Sequence, residues 1–395
     1  MKLTKQHLII FLILITEVLG FSLILPFLPI FAQDMGASAF VVGLLLTTFS
    51  LFQFISAPIA GSLSDRYGRK PMLLISQFAT LVSFLLLAFA NSLWMLFLSR
   101  AVDGLLGSNA TIAKAYLSDI TPNKDKSKVF GISGVAFAIG FMIGPILGGT
   151  MAQTSYSIPS FLASGITLVS IVFTILALPE TVKNPKSILD RLQKKSRINI
   201  KLLNMNQISH YFKNKSVNQQ LIEFLMYALS MAIFTSNFAI FARQKFDATT
   251  QQIGLSMTVI GATSVLFRGY LLPKLIDRFK ERHLERVGVS LMILGLVIGL
   301  LSQNYYQLLI MITIFATGAG MNYPLMMGDI SRSVDEKEQG AIIGVANSLD
   351  SMAHIVGPLL GGYLLSSTFP DSMLLATITS MSVCLFLIFR EHKPY

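Results

Sequence analysis

Acidic and basic side chains inside apolar stretches are the residues of this sequence best suited to chemistry. They are Glu17, Arg100, Asp103, Lys114, Glu223 and Asp350, all within runs of mostly apolar residues. An ionisable group in such a run is costly to bury, and it normally faces a water-filled cavity or a charged partner. A carboxyl group in that position can take up and release protons, so the pattern predicts proton coupling.

The run that contains Arg100 and Asp103 has the richest pattern. Spacings of three and four residues place polar residues on one helical face, namely Arg100, Asp103, Gly107, Thr111 and Lys114. This stripe would point alternating charges towards a cavity. Arg100 and Asp103 would then act as a proton switch, or as a static ion pair that holds the fold.

Further proton-coupling candidates lie in other runs. Glu17 is a candidate site for a proton or a substrate cation. Asp350 and His354 are one helical turn apart and would form a proton relay or a structural hydrogen-bonded pair. Glu223 lies near one end of its run, so it would couple protons or simply be solvated. The candidate cavity or substrate groups are Gln53, Asn109, Lys114, Asn237 and Asn347.

The elements that must position these residues are long apolar runs. Of the 395 residues, 53% are hydrophobic and 13% are charged, against roughly 25% charged in a soluble domain. In hydrocarbon, runs of about 20 residues without alternation indicate helices. The predicted spans are 8–32, 40–63, 72–90, 94–118, 128–152, 158–179, 217–242, 250–270, 284–303, 306–328, 338–365 and 370–390. The predicted fold class is an all-α membrane protein with twelve transmembrane helices.

The distribution of basic residues predicts the orientation. Most of the 31 Lys and Arg residues fall in the termini and in alternate loops, which the positive-inside rule assigns to the cytoplasm. We therefore expect a multi-pass protein of the cell inner (cytoplasmic) membrane with both termini in the cytoplasm. The net charge of +11 is thus a topology signal, and nucleic acid is not an expected partner.

Other classes of function lack their sequence signatures. The single Cys384 excludes a disulfide within the chain and a cysteine metal site, and the five His residues have no metal-ligand spacing. There is no phosphate-binding Gly-rich loop ending in Lys-Ser or Lys-Thr, so ATP is not expected to drive the protein. We expect no enzyme activity, metal or cofactor, and a proton gradient would be the driving force.

The second half of the chain repeats features of the first at a nearly constant offset. The matched features are Asp65-Arg66 with Asp277-Arg278, Asp119 with Asp329, Gly144-Pro145 with Gly357-Pro358, and Glu17 with Glu223. We predict a six-helix bundle over 1–180, a basic amphipathic cytoplasmic linker over 181–216 and a second six-helix bundle over 217–395. Such repeated halves are the geometry of alternating access. The scaffold would be symmetric and the coupling residues would not.

Three motifs carry a family resemblance. The loop Gly61-Ser-Leu-Ser-Asp-Arg-Tyr-Gly-Arg-Lys-Pro71 resembles the signature loop of the major facilitator superfamily. Leu19-Gly-Phe-Ser-Leu-Ile-Leu-Pro26-Phe-Leu-Pro29 resembles the first-helix motif of its twelve-helix drug:proton antiporters. Gly140-Phe-Met-Ile-Gly-Pro-Ile-Leu-Gly-Gly149 resembles their antiporter motif. The resemblance covers essentially the whole chain, and the first half is most similar to tetracycline-type exporters.

The resemblance implies a latch on the cytoplasmic side. In the family, the loop Asp lies against the start of helix eleven, and the loop Arg reaches the acid that ends helix four. The latch residues would be Gly61, Asp65, Arg66, Gly68, Arg69, Lys70 and Asp119. Loop charges that merely set the topology are the alternative. The resemblance also implies a role for Arg100 in proton coupling, although many relatives have Gln or Ser in place of Asp103.

The antiporter-like motif of span five combines small residues with a proline. Its glycines, Gly140, Gly144, Gly148 and Gly149, recur at spacings that let helices approach closely. Pro145 removes a backbone donor and bends the helix. We expect a hinge or a leak seal. Because span eleven repeats the pattern, the glycines alone do not indicate antiport.

These features together predict a secondary active transporter that exports hydrophobic or amphipathic small molecules by proton-coupled alternating access. Its partners would be a small-molecule substrate and membrane lipid, and it would act as a monomer. Tetracycline is disfavoured as cargo, because the chain reads Leu81-Val82-Ser83 where those exporters carry an acid, and span nine is also expected to lack one. The alternatives are a proton-coupled symporter for a sugar, nucleoside or organic acid, and a lipid flippase or a membrane receptor on the same fold.

Overall fold

A computed structural model of the protein describes residues 4–122, 126–182, 211, 214–335, 338–367 and 369–390. The chain forms two compact units. The first comprises Met1–Met35 and Thr48–Leu202, and the second comprises Gly36–Thr47 and Leu203–Tyr395. Most of the predicted linker 181–216 lies outside the described residues, so its amphipathic character and the proposed domain boundaries stay predictions.

The first unit is a bundle of helices joined by short connections. The helices are α1 (Lys5–Ile24), α2 (Leu28–Asp34), most of α3 (Ala39–Tyr67), α4 (Arg69–Ala88), α5 (Leu93–Leu106), α6 (Asn109–Ile120), α7 (Lys126–Ala152) and α8 (Ser157–Ala177). Helix α1 packs against α7 and α8, while α4 packs against α5 and α8. Pro26 lies in the turn that separates α1 from α2, where the missing N–H of proline does not interrupt a helix.

The second unit has the corresponding elements with one local difference. Its helices are α9 (Lys215–Phe246), α10 (Thr250–Leu266), α11 (Leu272–Ile276), α12 (Glu281–Leu301), α13 (Tyr305–Arg332), α14 (Gln339–Leu365) and α15 (Ser372–Phe389). A single π-helical turn, Phe267–Leu271, connects α10 to α11. Helix α9 packs against α14 and α15, and α12 packs against α13. The contacts of α9 with α14 thus repeat those of α1 with α7.

The predicted all-α membrane fold is confirmed. Within the described residues there is no strand, and ten stretches form helices that are long and apolar enough to cross a membrane. The other two predicted spans, four and eleven, are also helical. Span four is divided into α5 and α6, and in α14 the polar residues Asn347, Asp350 and His354 interrupt the apolar run.

The glycines of span five set a close helix contact in the first unit. A Cβ added at Gly140 would lie 2.6 Å from Cγ1 of Val18, and one at Gly148 would overlap the backbone of Leu23. The hydroxyl of Ser22 donates to the carbonyl of Gly140 at 2.8 Å. Helix α7 therefore lies directly on the backbone of α1, as small residues allow.

The second unit repeats this contact. A Cβ at Gly357 on α14 would lie 2.6 Å from the Cβ of Ala232 on α9. Helices α7 and α14 both continue through their prolines, Pro145 and Pro358. The close packing expected from the glycine spacing is therefore present in both units, and the role of these helices as hinges or seals stays a prediction.

Candidate functional site

The span that carries Arg100 and Asp103 is broken in its middle. Helix α5 ends at Leu106 and α6 begins at Asn109. A Cβ at Gly107 would collide with the carboxyl group of Asp103 and lie 3.0 Å from Oγ1 of Thr80. The prediction of one continuous polar stripe from Arg100 to Lys114 is therefore wrong, because a regular helix does not connect the two ends.

The break is stabilised by the neighbouring helix α3. The hydroxyl of Ser56 donates to the carbonyl of Gly104 at 2.7 Å and lies 3.3 Å from the hydroxyl of Ser108. Irregular backbone at membrane depth is tolerated where protein supplies such partners. The consequence is that Asn109 becomes the first residue of α6 and its side chain is fully buried in the unit.

A chain of hydrogen bonds connects Glu17 to Asp103 through two neutral side chains. The amide nitrogen of Asn109 donates to the carboxyl group of Glu17 at 2.8 Å and to the hydroxyl of Thr80 at 2.9 Å. Thr80 in turn donates to Asp103 at 2.9 Å. Helices α1, α4, α5 and α6 each contribute one of these four residues, which we call the Glu17–Asp103 network.

Arg100 stands at the end of the Glu17–Asp103 network. Its Nη1 lies 3.8 Å from the carboxyl group of Asp103, which is too far for a hydrogen bond. Its Nη2 instead donates to the hydroxyls of Ser83 and Ser99 at 3.0 and 3.2 Å. Arg100 and Asp103 are 2% and 5% exposed. The ion pair is therefore buried but loose, and neutral groups supply the bonds on both sides of it.

The chemistry open to this network is proton exchange. Each carboxyl group accepts one hydrogen bond from a neutral donor and keeps other lone pairs available for a proton. Because both carboxyl groups lie in one connected region of low polarity, a proton or cation bound at one changes the free energy of charging the other. Glu17 is only partly buried, so it is the more accessible of the two carboxyl groups.

The second unit holds its acids differently. Arg282 of α12 donates to both carboxyl oxygens of Glu223 at 2.8 Å and to Glu285 at 2.8 Å. Glu223 is 2% exposed and Glu285 is fully buried, and the second oxygen of Glu285 has no hydrogen-bond partner among the described residues. We call these three residues the Arg282 cluster.

Two interpretations of the sequence are corrected by the Arg282 cluster. The alternative that Glu223 is merely solvated is wrong, because Arg282 and Gln219 pair its carboxyl group inside the unit. The statement that span nine has no acid is also wrong. Glu285 lies in the first turns of α12, inside the predicted span 284–303.

Asp350 and His354 are adjacent on α14, as their spacing predicts. Nδ1 of His354 lies 2.9 Å from the carbonyl of Asp350 and 3.9 Å from its carboxyl group. The ring therefore bonds to backbone rather than to the acid. Both side chains are partly exposed, so the geometry fits a weakly paired acid, and the relay stays a prediction.

Three residues of the predicted latch are bonded together in the first unit, and the gating role of the latch stays a prediction. Arg69 pairs with Asp119 at 2.8 Å and with Asp65 at 2.6 Å, and it donates to the hydroxyl of Ser64 at 2.6 Å. Gly68 has a φ of +103°, a conformation that glycine adopts without strain. These bonds tie the end of α3 and the start of α4 to the end of α6. The partner of Asp65 at helix eleven stays a prediction.

Glu180 is a further residue bonded to the predicted latch, and the sequence interpretation missed it. Its carboxyl group accepts the backbone N–H groups of Arg69 and Lys70 at 2.9 and 3.0 Å. A carboxylate at this place satisfies the free N–H groups at the start of α4 and interacts favourably with its dipole. The signal was present as an acid that directly follows an apolar span.

The corresponding place in the second unit has reversed charges. Arg332 at the end of α13 pairs with Glu281 at the start of α12 and with Asp329 at 2.5 Å. Glu281 occupies the position that Arg69 has in the first unit when the repeats are aligned. Both units therefore connect the same two helix ends by an ion pair, with the basic partner on opposite helices.

The other candidate polar residues are scattered. Asn237 is fully buried between α9 and α14 and donates to the carbonyl of Ile233 at 3.1 Å, so it lines no cavity in this structure. Gln53 is half-buried and Asn347 is exposed. Lys114 is exposed, and its ammonium group lies 5.7 Å from the ring centre of Phe137.

Comparison with known proteins places this chain in a family. The Major Facilitator Superfamily model matches residues 10–282 and 220–395. The class H tetracycline resistance protein of Pasteurella multocida is 30% identical over 367 residues, which are 92% of this chain and 90% of that protein. The quinolone resistance protein NorA of Staphylococcus aureus is 24% identical over 395 residues, with coverage of 99% and 98%.

Solved structures agree on the fold. The nucleoside transporter NupG superposes with a TM-score of 0.76 at 12% identity, covering 98% of both chains. The described residues form helical units of this kind, with an Arg69–Asp119 ion pair in the loop motif and close glycine contacts on α7 and α14. With relatives aligned over nearly its full length, the chain belongs to the major facilitator superfamily.

Proposed function

We propose that the chain is a proton-coupled exporter of hydrophobic and amphipathic small molecules, a multidrug-type antiporter that works by alternating access. The observation that carries the proposal is the Glu17–Asp103 network. It places a partly exposed carboxyl group and a buried one in a single hydrogen-bonded chain inside a membrane-spanning unit. The similarity to tetracycline and quinolone resistance proteins supports export as the direction.

In this proposal, Glu17 exchanges a substrate cation for a proton. While Glu17 is charged, it attracts a lipophilic cation that enters from the cytoplasm or the inner leaflet. A proton that binds Glu17 on the outer side removes that attraction and releases the substrate. Asp103 and Arg100 sense the change through Thr80 and Asn109, because the state of one carboxyl group alters the charging free energy of the other. Coupling of this kind requires that the proton and the substrate compete for the charged carboxylate of Glu17.

The latch has a separate role in the proposal. The bonds of Arg69 with Asp119 and of Glu180 with the start of α4 hold one end of the first unit as a rigid body. The prevalence of basic residues at this end supports its assignment to the cytoplasm and the same location for both termini. We propose that the latch keeps this side closed while substrate leaves on the other.

The direction of transport is tested in everted membrane vesicles that are energised by respiration. We expect the vesicles to accumulate ethidium, and a protonophore to abolish the accumulation. Glu17→Gln keeps the hydrogen bond to Asn109 but cannot change its charge, so ethidium binding persists at reduced affinity while gradient-driven accumulation is lost. Asp277→Asn, an exposed acid at the end of α11, is the matched control and keeps full activity.

The alternatives give different results in the same preparation. A symporter moves its substrate out of the everted vesicles together with protons, so the vesicles accumulate no ethidium. A flippase redistributes labelled lipid in proteoliposomes that contain no other substrate. Unchanged coupling in Glu17→Gln removes Glu17 from the mechanism, even if export itself is observed.

A further inference from the structure

Arg268 is a charged residue of the second unit that the proposed mechanism does not use. It lies within the membrane-spanning stretch Thr250–Ile276. Arg100 and Arg282 each lie near an acid of their own unit, whereas none of the ion pairs among the described residues includes Arg268. A guanidinium group without a counter-charge is costly in a span, so water or a ligand must compensate it.

The backbone around Arg268 departs from the regular helix. Phe267–Leu271 form a single π-helical turn, a rare element that occurs frequently at functional sites. A Cβ added at Gly269 would meet no atom within 4 Å, and the side chain of Arg268 is itself exposed. The guanidinium group is therefore not enclosed by the protein.

The position of Arg268 argues against a simple surface role. It lies eight residues before Ile276, the end of its span, which is about 12 Å at 1.5 Å per residue. Its Nε donates to the carbonyl of Gly320 at 3.3 Å, and its guanidinium carbon lies 5.6 Å from the ring centre of Tyr323. These contacts hold the group against α13 and leave both terminal nitrogens without a hydrogen bond among the described residues.

Two further groups complete the surroundings. The hydroxyl of Tyr323 donates to no acceptor among the residues that the structure describes, while that of Tyr227 is engaged with the carbonyl of Ala319 at 3.2 Å. Tyr323 is therefore the tyrosine that has a hydroxyl donor available beside Arg268.

We propose that Arg268 binds the carboxylate of amphipathic zwitterions, with the hydroxyl of Tyr323 as a further donor. A planar guanidinium group with two open nitrogens suits a carboxylate, which it binds by two parallel hydrogen bonds. The inference rests on the proposed transport of amphipathic compounds and adds a substrate class to it. Cations bind without Arg268, and compounds that also carry a carboxylate need it.

The test measures equilibrium binding to purified protein in detergent by fluorescence anisotropy. The probes are rhodamine B, which has a cationic ring system and a free carboxylate, and its ethyl ester, which lacks the carboxylate. Arg268→Gln should weaken the binding of rhodamine B by about tenfold or more, the size of a lost charge-assisted hydrogen bond, and leave the ester within about twofold. Arg268→Lys should retain part of the affinity difference between rhodamine B and its ester. Tyr323→Phe should reduce that difference less than Arg268→Gln does.

The outcomes separate this inference from the proposed function. Arg278→Gln, which removes an exposed Arg just beyond the same span, is the control and should leave both affinities unchanged. Equal weakening of both dyes by Arg268→Gln indicates a structural role and overturns the inference, as does no change for either dye. The measurement needs no gradient, so failure of gradient-driven export in vesicles would reject the proposed function and leave the binding result intact.

Discussion

Each of the two units places two carboxyl groups near one Arg, but the units bond these groups in different ways. In the first unit, Glu17 and Asp103 are joined through Asn109 and Thr80, and Arg100 stays 3.8 Å from Asp103. In the second unit, Arg282 bonds directly to both acids at 2.8 Å. The difference teaches that the same set of charges can serve as an adjustable network or as a fixed structural contact.

The bonding explains why we assign proton coupling to the first unit. A bidentate Arg holds a carboxylate in its charged form and in one geometry. Protonation of Glu223 would weaken those bonds and leave the half-buried Arg282 less well compensated. Glu17, by contrast, depends on a single neutral donor, so its charge can change with little rearrangement.

The largest expected difference between the units is in stability. Arg282→Gln leaves two buried acids without their cation and should lower the free energy of unfolding by about 3–5 kcal/mol. Arg100→Gln should cost about 1–2 kcal/mol, because it removes hydrogen bonds to two serines and only a loose pair. Unfolding of both variants in a denaturing detergent titration measures this. Equal losses would contradict the contrast.

Proton coupling should be more sensitive to changes in the first unit than to changes in the second. Asp103→Asn should reduce gradient-driven transport by about 10- to 100-fold, which corresponds to a typical coupling free energy of 1–3 kcal/mol. Glu285→Gln should keep the gradient-driven transport rate within about twofold of that of the unchanged protein. Initial rates in proteoliposomes with and without an imposed pH difference separate the two. A larger effect of Glu285→Gln would move the proton site to the second unit.

The glycine contacts should behave alike in both units. Gly148→Ala and Gly357→Ala place a methyl group against backbone and should each cost about 1–2 kcal/mol of stability. The matched controls are Gly134→Ala on α7 and Gly344→Ala on α14, where a Cβ meets no atom within 4 Å. If only one of the two contacts is sensitive, the scaffold is less symmetric than its sequence repeat.

The smallest expected effect comes from interrupting the Glu17–Asp103 network at Thr80. Thr80→Val keeps the volume and removes the donor to Asp103, at a cost of about 1 kcal/mol. In a double-mutant cycle with Glu17→Gln, which retains measurable ethidium binding, the effects on ethidium affinity should be non-additive, because Thr80 connects Glu17 to Asp103 through Asn109. Thr174→Val, a buried threonine that bonds only within its own helix, should give additive effects. Additivity for Thr80→Val would mean that the two acids act independently.

Local sequence patterns predicted most of the scaffold. Long apolar runs can satisfy their backbone in a membrane only as helices, so the fold class followed from composition and run length. The pair Arg69–Asp119 was predicted from the family resemblance of the loop motif, and the close glycine contacts were predicted from their three- and four-residue spacings. The adjacency of Asp350 and His354 needed only the helical repeat.

The partners of the buried charges were not predictable in the same way. Thr80 and Glu180 are far along the chain from the acid or N–H groups they bond, as Arg282 is from Glu223, and threonine and arginine carry no local sign of that role. The break at Gly107 also escaped the helical pattern, because its cause is the fit of Gly107 against Thr80 and Asp103 on packed helices.

The sequence by itself therefore determined that this is a helical membrane protein of two related halves with acids in its spans. The tertiary structure alone decided which acids are held by a cation and which by neutral donors. The physical reason is that hydrophobic run length acts locally on each helix, whereas the charge state and freedom of a buried carboxyl group depend on side chains that arrive from other helices.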